Sequence, residues 1–261
     1  MNDTLKTLLE HRTIRSYKPQ KIDDAVLEQI LLAATRGSTT GNMQPYSIII
    51  TQDAEMKAKI APLHFNQKPV LEAPVILTFC ADFNRFNKWC QYREAQTDCF
   101  SNMQSFMWGA IDAVIATQNA SIAAESLGLG ICYIGTVTYH TAALAELYKL
   151  PKHVVPITCI TLGYPAENPP LTDRLPLKAV IHNEIYRDYS KEVIDELYYE
   201  KENSALTKKL LEENQLPNLA QIFTQKRYTK KDNEHFAKMF MEGVKEEGFY
   251  RKTAQWEVKN T

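Results

Sequence analysis

A long apolar segment, residues 106–129, limits the folds open to this sequence. The segment has the length of a membrane span, but four of its side chains would be costly in hydrocarbon: Asp112, Gln118, Asn119 and Glu125. The pattern therefore predicts a buried helix of a soluble protein over residues 108–127. A helix of about five turns with apolar residues on nearly every face belongs in a core or in a subunit interface.

Shorter apolar runs on both sides of this helix predict strands at residues 46–51, 75–81, 131–134 and 155–162. Because these runs are almost wholly apolar, we expect strands covered on both faces. Further helices are predicted at residues 22–36 and 142–148, with a short one near the N-terminus. After residue 170 the pattern changes to Glu/Lys-rich helices, predicted at residues 191–213 and 231–247, which we expect to pack as an appendage over one main core.

The charge balance argues against nucleic acid or an anionic membrane as a partner, since 30 Lys and Arg face 31 Asp and Glu. The five cysteines form no Cys-x-x-Cys pair and have no His in metal-ligand spacing, so neither a disulfide framework nor a metal site is predicted. The N-terminus shows no secretory signal pattern, and we expect a reducing cytoplasm.

Polar, hydroxyl and basic residues concentrate in four segments at the ends of predicted elements, where a scaffold presents a ligand: residues 11–15, 38–45, 128–136 and 162–176. Each segment taken alone is equally typical of an ordinary turn or loop. No Walker loop, Gly-x-Gly-x-x-Gly fingerprint, Gly-x-Ser-x-Gly elbow or His-Glu-x-x-His motif is present. The six scattered histidines are interpreted as surface or capping residues, which favours chemistry carried by a cofactor over chemistry carried by side chains.

Taken in order, these segments closely resemble the nitroreductase family, and more narrowly its oxygen-insensitive NADPH nitroreductase and flavin reductase group. The resemblance rests on His-Arg-Thr-Ile-Arg at 11–15, Ser-Thr-Thr at 38–40, Asn-Gln-Lys at 66–68, Tyr-Ile-Gly at 133–135 and Leu-Gly-Tyr-Pro-Ala-Glu-Asn-Pro at 162–169. It implies an α+β sandwich with a central, mainly antiparallel sheet flanked by helices, in an intertwined homodimer. It also implies a cofactor-binding core over residues 1–176 and a C-terminal helical extension over residues 177–261.

The resemblance implies non-covalent FMN at the subunit interface and ping-pong hydride exchange, with NAD(P)H as donor, NADPH favoured, and nitroaromatics, quinones or flavins as small-molecule oxidants. The flavin performs the chemistry, so no catalytic side chain is expected. Backbone N–H groups and Gln67 would stabilise the anionic reduced ring. The implied FMN-binding residues are His11, Arg12, Thr13, Arg15, Ser38, Thr39, Thr40, Asn42, Gln44, Gln67, Lys68, Tyr133, Ile134, Gly135, Thr136 and Arg174.

Three departures from the family pattern bear on function. Thr172 stands where the group usually carries a lysine of the phosphate site, and Thr136 stands where a glycine is common beside the flavin. The C-terminal arginine loop that selects the NADPH 2′-phosphate is not recognisable, and the nearest basic stretch is residues 225–231. Two alternatives therefore stay open: another flavin chemistry on this fold, such as dehalogenation or flavin fragmentation, and a flavin-binding protein without turnover.

Overall fold

The computed structural model describes residues 1–250 and confirms the α+β class. The helices are α1 (Asp3–Leu9), α2 (Asp24–Ala34), α3 (Ala54–Ile60), α4 (Lys68–Glu72), α5 (Asn84–Tyr92), α6 (Met103–Ser126), α7 (Thr141–Leu147), α8 (Lys191–Asn203), α9 (Ala205–Asn214), α10 (Leu219–Ile222) and α11 (Lys230–Glu246). The strands are β1 (Tyr46–Thr51), β2 (Val75–Asp82), β3 (Gly130–Ile134) and β4 (Val154–Gly163). All four predicted strands are confirmed, with ends within one residue of the prediction.

The strands form a single four-stranded sheet in the order β1-β2-β4-β3, and every neighbouring pair is antiparallel. In register, Tyr46 lies opposite Ala81 and Gly130 lies opposite Gly163. All eight residues of the central strand β2 are buried, as its continuous apolar run predicts.

Helices cover the sheet on two sides. One cluster joins α2 and α6 to the sheet and includes Ile30, Ala113 and Ala120, each with no exposed surface. Small residues along α6 let this helix lie close to the strands. A second cluster joins α3 and α7 to the sheet through Ile60 and Leu144. The core is therefore a layer of strands between two layers of helices.

Helix α6 confirms the central helix predicted from the apolar segment. It begins five residues earlier than predicted because Asn102 caps its first turn, accepting a hydrogen bond from the Ser105 N–H at 3.0 Å. Much of its surface is buried, but Met107, Ile111 and Val114 form a stripe at helical spacing with 46%, 49% and 48% of their surface exposed. Within residues 1–250, no helix combines the length and the hydropathy that crossing a membrane requires.

The N-terminal segment after α1 runs beside the edge strand β3. Thr13 forms a parallel bridge with Ile131, and the Ile14 N–H donates to the Ile131 carbonyl at 2.9 Å. A Cβ at Gly130 would lie only 2.5 Å from Ile14 Cγ1, so glycine at this position permits the close approach.

The described residues divide into two compact units, one comprising Met1–Pro170 with residues 236–250 and the other comprising Leu171–His235. Phe240, Val244 and Phe249 pack in a core cluster of the first unit, and the predicted boundary at residue 176 stays a prediction. Residues 251–261 of the predicted extension lie outside the described residues.

The second unit contains α8, α9 and α10. The single helix predicted over residues 191–213 is wrong, because the structure has two helices separated at Ser204. Ser204 is extended, with φ −64° and ψ 150°, and its hydroxyl caps α9 by accepting from the Thr207 N–H at 3.1 Å.

Candidate functional site

Arg15 presents a cation beside the sheet edge. In the extended segment after α1, Ile14 is buried while Arg15 is exposed, as the alternation of an extended chain predicts. The Arg15 guanidinium makes no hydrogen bond or ion pair with any residue from 1 to 250, whereas its backbone is firmly held. The arrangement leaves an unpaired guanidinium, on a backbone that is held, for an anionic ligand.

The backbone beneath Arg15 is held by the Glu167 carboxylate. Glu167 Oε1 accepts from the backbone N–H groups of Arg15 at 2.5 Å and Ser16 at 2.9 Å. An antiparallel bridge between Tyr17 and Pro165 supports the same contact. The Lys68 ammonium donates to Ser16 Oγ at 3.0 Å, so a second cation is attached to this segment.

His11 and Arg12 are tied to the protein by polar contacts of their own. His11 Nδ1 lies 2.6 Å from Glu125 Oε1, and burial raises the pKa of Glu125, an effect that the hydrogen bond to His11 partly offsets. The Arg12 guanidinium donates to the carbonyls of Pro169 at 3.0 Å and Glu10 at 2.8 Å. Both side chains are oriented, although part of the Arg12 hydrogen-bonding capacity is already used.

The turn that follows β3 belongs to the predicted segment at residues 128–136. It lies at the same edge of the sheet. Gln67 Nε2 donates to Thr136 Oγ1 at 3.2 Å, and His64 Nδ1 lies 2.8 Å from the same oxygen. A Cβ added at Gly135 would meet no atom within 4 Å, so the backbone there borders open space. A flat ligand fits against such a backbone.

Tyr133 and Ile134 lead into this turn. The Tyr133 hydroxyl donates to Gln118 Oε1 at 3.1 Å and accepts from Ser121 Oγ at 3.2 Å, and burial raises its pKa. Ile134 is 1% exposed and packs in the core. Residues 11–16, 67–68 and 133–136 are thus brought together by the edge of the sheet.

The predicted loop at residues 38–44 is hydrogen-bonded to helix α6 and not to the cluster at the sheet edge. The Thr40 N–H and hydroxyl donate to the Asp112 carboxylate at 3.0 and 3.1 Å. Asp112 is 2% exposed, and burial raises its pKa despite these bonds. Three residues of the loop, Gly41, Asn42 and Gln44, have φ between 53° and 55°. Within residues 1–250, no hydrogen bond joins this loop to the cluster at the sheet edge.

Arg174 belongs to the second unit. Its guanidinium donates to the carbonyls of Thr172 at 3.3 Å and Asp173 at 2.9 Å. The Asp173 carboxylate forms an ion pair with Lys201 at 2.7 Å. A role for Arg174 in binding phosphate stays a prediction.

Four residues that support the site were missed as site residues by sequence reasoning: His64, Asp112, Glu125 and Glu167. The signal for Asp112 and Glu125 was their presence in an otherwise apolar helix, because a buried carboxylate needs hydrogen-bond partners. The interpretation of His64 as a surface or capping residue is wrong. It is 2% exposed, and burial together with the nearby His140 lowers its pKa to about 4.

The donor set fits FMN. Arg12, Arg15 and Lys68 are cations that could hold a phosphate, and Gly135 borders open space in which a flat ring could lie. Within residues 1–250, no group of three or more His, Cys, Asp or Glu side chains is arranged to hold a metal ion.

A sequence model of the nitroreductase family matches residues 8–164. The chain is 40% identical to an FMN reductase NAD(P)H of Bacillus subtilis over 187 residues, which covers 71% of this chain and 75% of the relative. It is 38% identical to an oxygen-insensitive NADPH nitroreductase of Salmonella typhimurium over 194 residues, covering 74% and 79% of the two chains. The crystal structure of a candidate oxidoreductase from Bacteroides fragilis superposes with a TM-score of 0.92 at 46% identity, covering 94% of this chain and all of that one.

Proposed function

Because this chain belongs to the nitroreductase family, we propose that it is an FMN-dependent NAD(P)H oxidoreductase that reduces nitroaromatics, quinones or flavins by ping-pong exchange. The observation that carries this proposal is the cluster at the sheet edge. There Lys68 bonds to Ser16, next to the unpaired Arg15 guanidinium in sequence, and Gln67 bonds to Thr136, next to the open backbone at Gly135. No other group of predicted site residues combines phosphate-binding cations with room for a flat ring.

At the phosphate end, Arg15 is the principal clamp, because its guanidinium has no competing partner among residues 1–250. His11, Arg12, Thr13 and Lys68 assist from the same segment and its neighbour. The resemblance implies a further phosphate cation at Arg174, in a stretch where Thr172 stands in place of a lysine, and this role stays a prediction.

At the ring end, Gln67, Tyr133, Ile134, Gly135 and Thr136 border the isoalloxazine. The chemistry that FMN supplies when bound is reversible two-electron transfer, which divides hydride transfer from NAD(P)H to the oxidant into two half-reactions. Backbone N–H groups of the turn after β3 would serve as donors to the ring and would stabilise negative charge there. No side chain is required as a catalytic acid.

The protein acts as a homodimer. The apolar stripe of Met107, Ile111 and Val114 on α6 is about half exposed in the single chain, and a second copy of the same stripe would bury it. In such a dimer the loop at residues 38–44, which carries Ser38, Thr39, Thr40, Asn42 and Gln44, completes the partner's flavin site rather than its own.

The dimer is tested by placing a charge in the stripe. Ile111→Lys should shift the purified protein to monomer in sedimentation-velocity experiments and weaken FMN binding, because a lysine would be buried without a partner. The matched control is Leu32→Lys, at a leucine of α2 that is 59% exposed and lies outside the stripe, and it should remain dimeric. An Ile111→Lys protein that sediments as wild type would contradict the proposed interface.

NADPH is the favoured donor, and in the sequence the basic stretch at residues 225–231 comes nearest to the family loop that selects its additional phosphate. We place the enzyme in the cytoplasm. All five cysteines are free thiols, four of them buried, as in proteins of reducing compartments.

The function is tested first by an anaerobic visible spectrum of the protein with FMN, recorded before and after NADH and NADPH are added separately. Flavin absorbance that bleaches faster with NADPH, and returns when menadione or nitrofurazone is added, supports the proposal. Bound FMN that neither donor reduces would refute turnover and leave a binding protein, and a protein that takes up no FMN would refute the cofactor.

The phosphate clamp is tested by comparing two ligands. Arg15→Gln should raise the Kd for FMN about tenfold or more and leave the Kd for riboflavin nearly unchanged, because riboflavin lacks the phosphate. Arg36→Gln, at an exposed arginine after α2, is the matched control and should change neither. Equal loss for both ligands would show that Arg15 acts through folding and not through the phosphate.

A further inference from the structure

The hydroxyl of Thr136 joins two side chains from the turn that follows α3. It lies 3.2 Å from Gln67 Nε2 and 2.8 Å from His64 Nδ1. An amide nitrogen can only donate, so Thr136 Oγ1 accepts from Gln67. Its own proton is then available for His64 Nδ1, which gives a continuous chain of hydrogen bonds from Gln67 through Thr136 to His64.

His64 suits the far end of this chain because it is rigid and uncharged. It is 2% exposed, and its pKa is lowered to about 4, so the ring is neutral at pH 7. A neutral imidazole offers one acceptor nitrogen, and Nδ1 is the nitrogen that faces Thr136. In the tautomer that carries its proton on Nε2, Nδ1 accepts from Thr136, and the Thr136 hydroxyl is then held at both ends.

The chain of hydrogen bonds decides which end of the Gln67 amide remains for a ligand. The nitrogen is engaged by Thr136, whereas Oε1 has no hydrogen-bond partner among residues 1–250. The sequence-based expectation was that Gln67 stabilises the anionic reduced ring, which requires a donor. In the structure, the donor nitrogen of Gln67 is engaged and its acceptor oxygen, Oε1, is the atom left for a ligand.

We infer that Thr136 is a positioning residue, which with His64 holds Gln67 as a hydrogen-bond acceptor for a ring N–H of the oxidised flavin. This inference rests on the proposed function. The backbone N–H groups after β3 are then the donors that stabilise the reduced ring.

The consequence is a preference for the oxidised cofactor, since a carbonyl oxygen held toward the ring does not stabilise the reduced anion. Thr136→Val keeps the shape of the side chain and removes the hydroxyl. It should raise the Kd for oxidised FMN about fivefold, the usual effect of one lost hydrogen bond, and change the Kd for reduced FMN less. If only the oxidised form weakens, the midpoint potential of bound FMN rises by about 20 mV, at 29.6 mV per tenfold for two electrons.

The experiment measures FMN affinity by fluorescence quenching and the midpoint potential by dye-coupled titration in the full-length protein. Thr136→Ser retains a hydroxyl and should restore both values. Thr138→Val is the matched control, at a threonine in the same turn whose hydroxyl bonds to no residue from 1 to 250. In a Gln67→Leu background, Thr136→Val should have no further effect, because its action passes through Gln67.

Two results would overturn the inference while leaving the proposed function intact. One is a Thr136→Val protein that matches Thr138→Val in both affinity and potential. The other is a loss of affinity that is as large in the Gln67→Leu background as in the wild type. A wild-type protein that binds no FMN would instead refute the proposed function, and this inference with it.

Discussion

Burial of His64 makes the stability of this protein depend on pH in a defined direction. The folded chain holds the His64 pKa at about 4, chiefly through burial and secondly through His140, while an unfolded histidine titrates near 6.5. The unfolded chain therefore binds the proton more tightly. The contribution of His64 to stability is fully present above pH 6.5 and is lost as the pH falls through about 4.

The magnitude follows from the two pKa values. A depression from 6.5 to about 4 corresponds to at most about 3 kcal/mol of unfolding free energy. Between pH 7 and pH 5, where the folded ring is still mostly neutral, the loss should be about 2 kcal/mol. His64→Asn retains a polar partner for Thr136 but cannot titrate, so it should show a constant stability offset without this part of the pH dependence.

The assay is urea unfolding of FMN-free protein at one fixed protein concentration, followed by far-ultraviolet circular dichroism at pH 7, 6 and 5. The stability difference between wild type and His64→Asn should shrink by about 2 kcal/mol over this range. His235→Asn, at an exposed histidine, serves as the control for removing an imidazole. Parallel pH curves for wild type and His64→Asn would refute the burial of a neutral His64.

Two further substitutions test the packing that positions the site. Gly130→Ala places a Cβ 2.5 Å from Ile14 Cγ1 and should destabilise the protein by about 1–3 kcal/mol in thermal unfolding. Its control, Gly135→Ala, meets no atom within 4 Å and should unfold like wild type, so equal stability of the two variants would contradict the close approach. Asp112→Ala leaves the Thr40 N–H and hydroxyl without their acceptor and should cost about 1–3 kcal/mol. Hydrogen exchange at the Thr40 amide should quicken in Asp112→Ala but little in Asp112→Asn, and unchanged exchange in Asp112→Ala would show that the carboxylate does not hold the loop.

The sequence alone determined the regular core. Strands β1 to β4 and helix α6 were predictable because their apolar runs are long and their ends carry caps or glycines. The segments of the flavin site were predictable in order along the chain, but only through their resemblance to a family. Helix α4 was not predicted, since a helix of five residues carries too little periodicity to stand out.

Only the tertiary structure decided how the site is held. No local pattern could show that Glu167 accepts a hydrogen bond from the backbone of Arg15, 152 positions away in the sequence. Nor could it show that Asp112 accepts one from Thr40 across 72 positions. The same holds for His64, which looks like a surface residue in sequence and becomes a neutral anchor for Thr136 once the core closes around it. The physical reason is that burial and hydrogen-bond partners depend on contacts between distant segments, which propensity and periodicity do not encode.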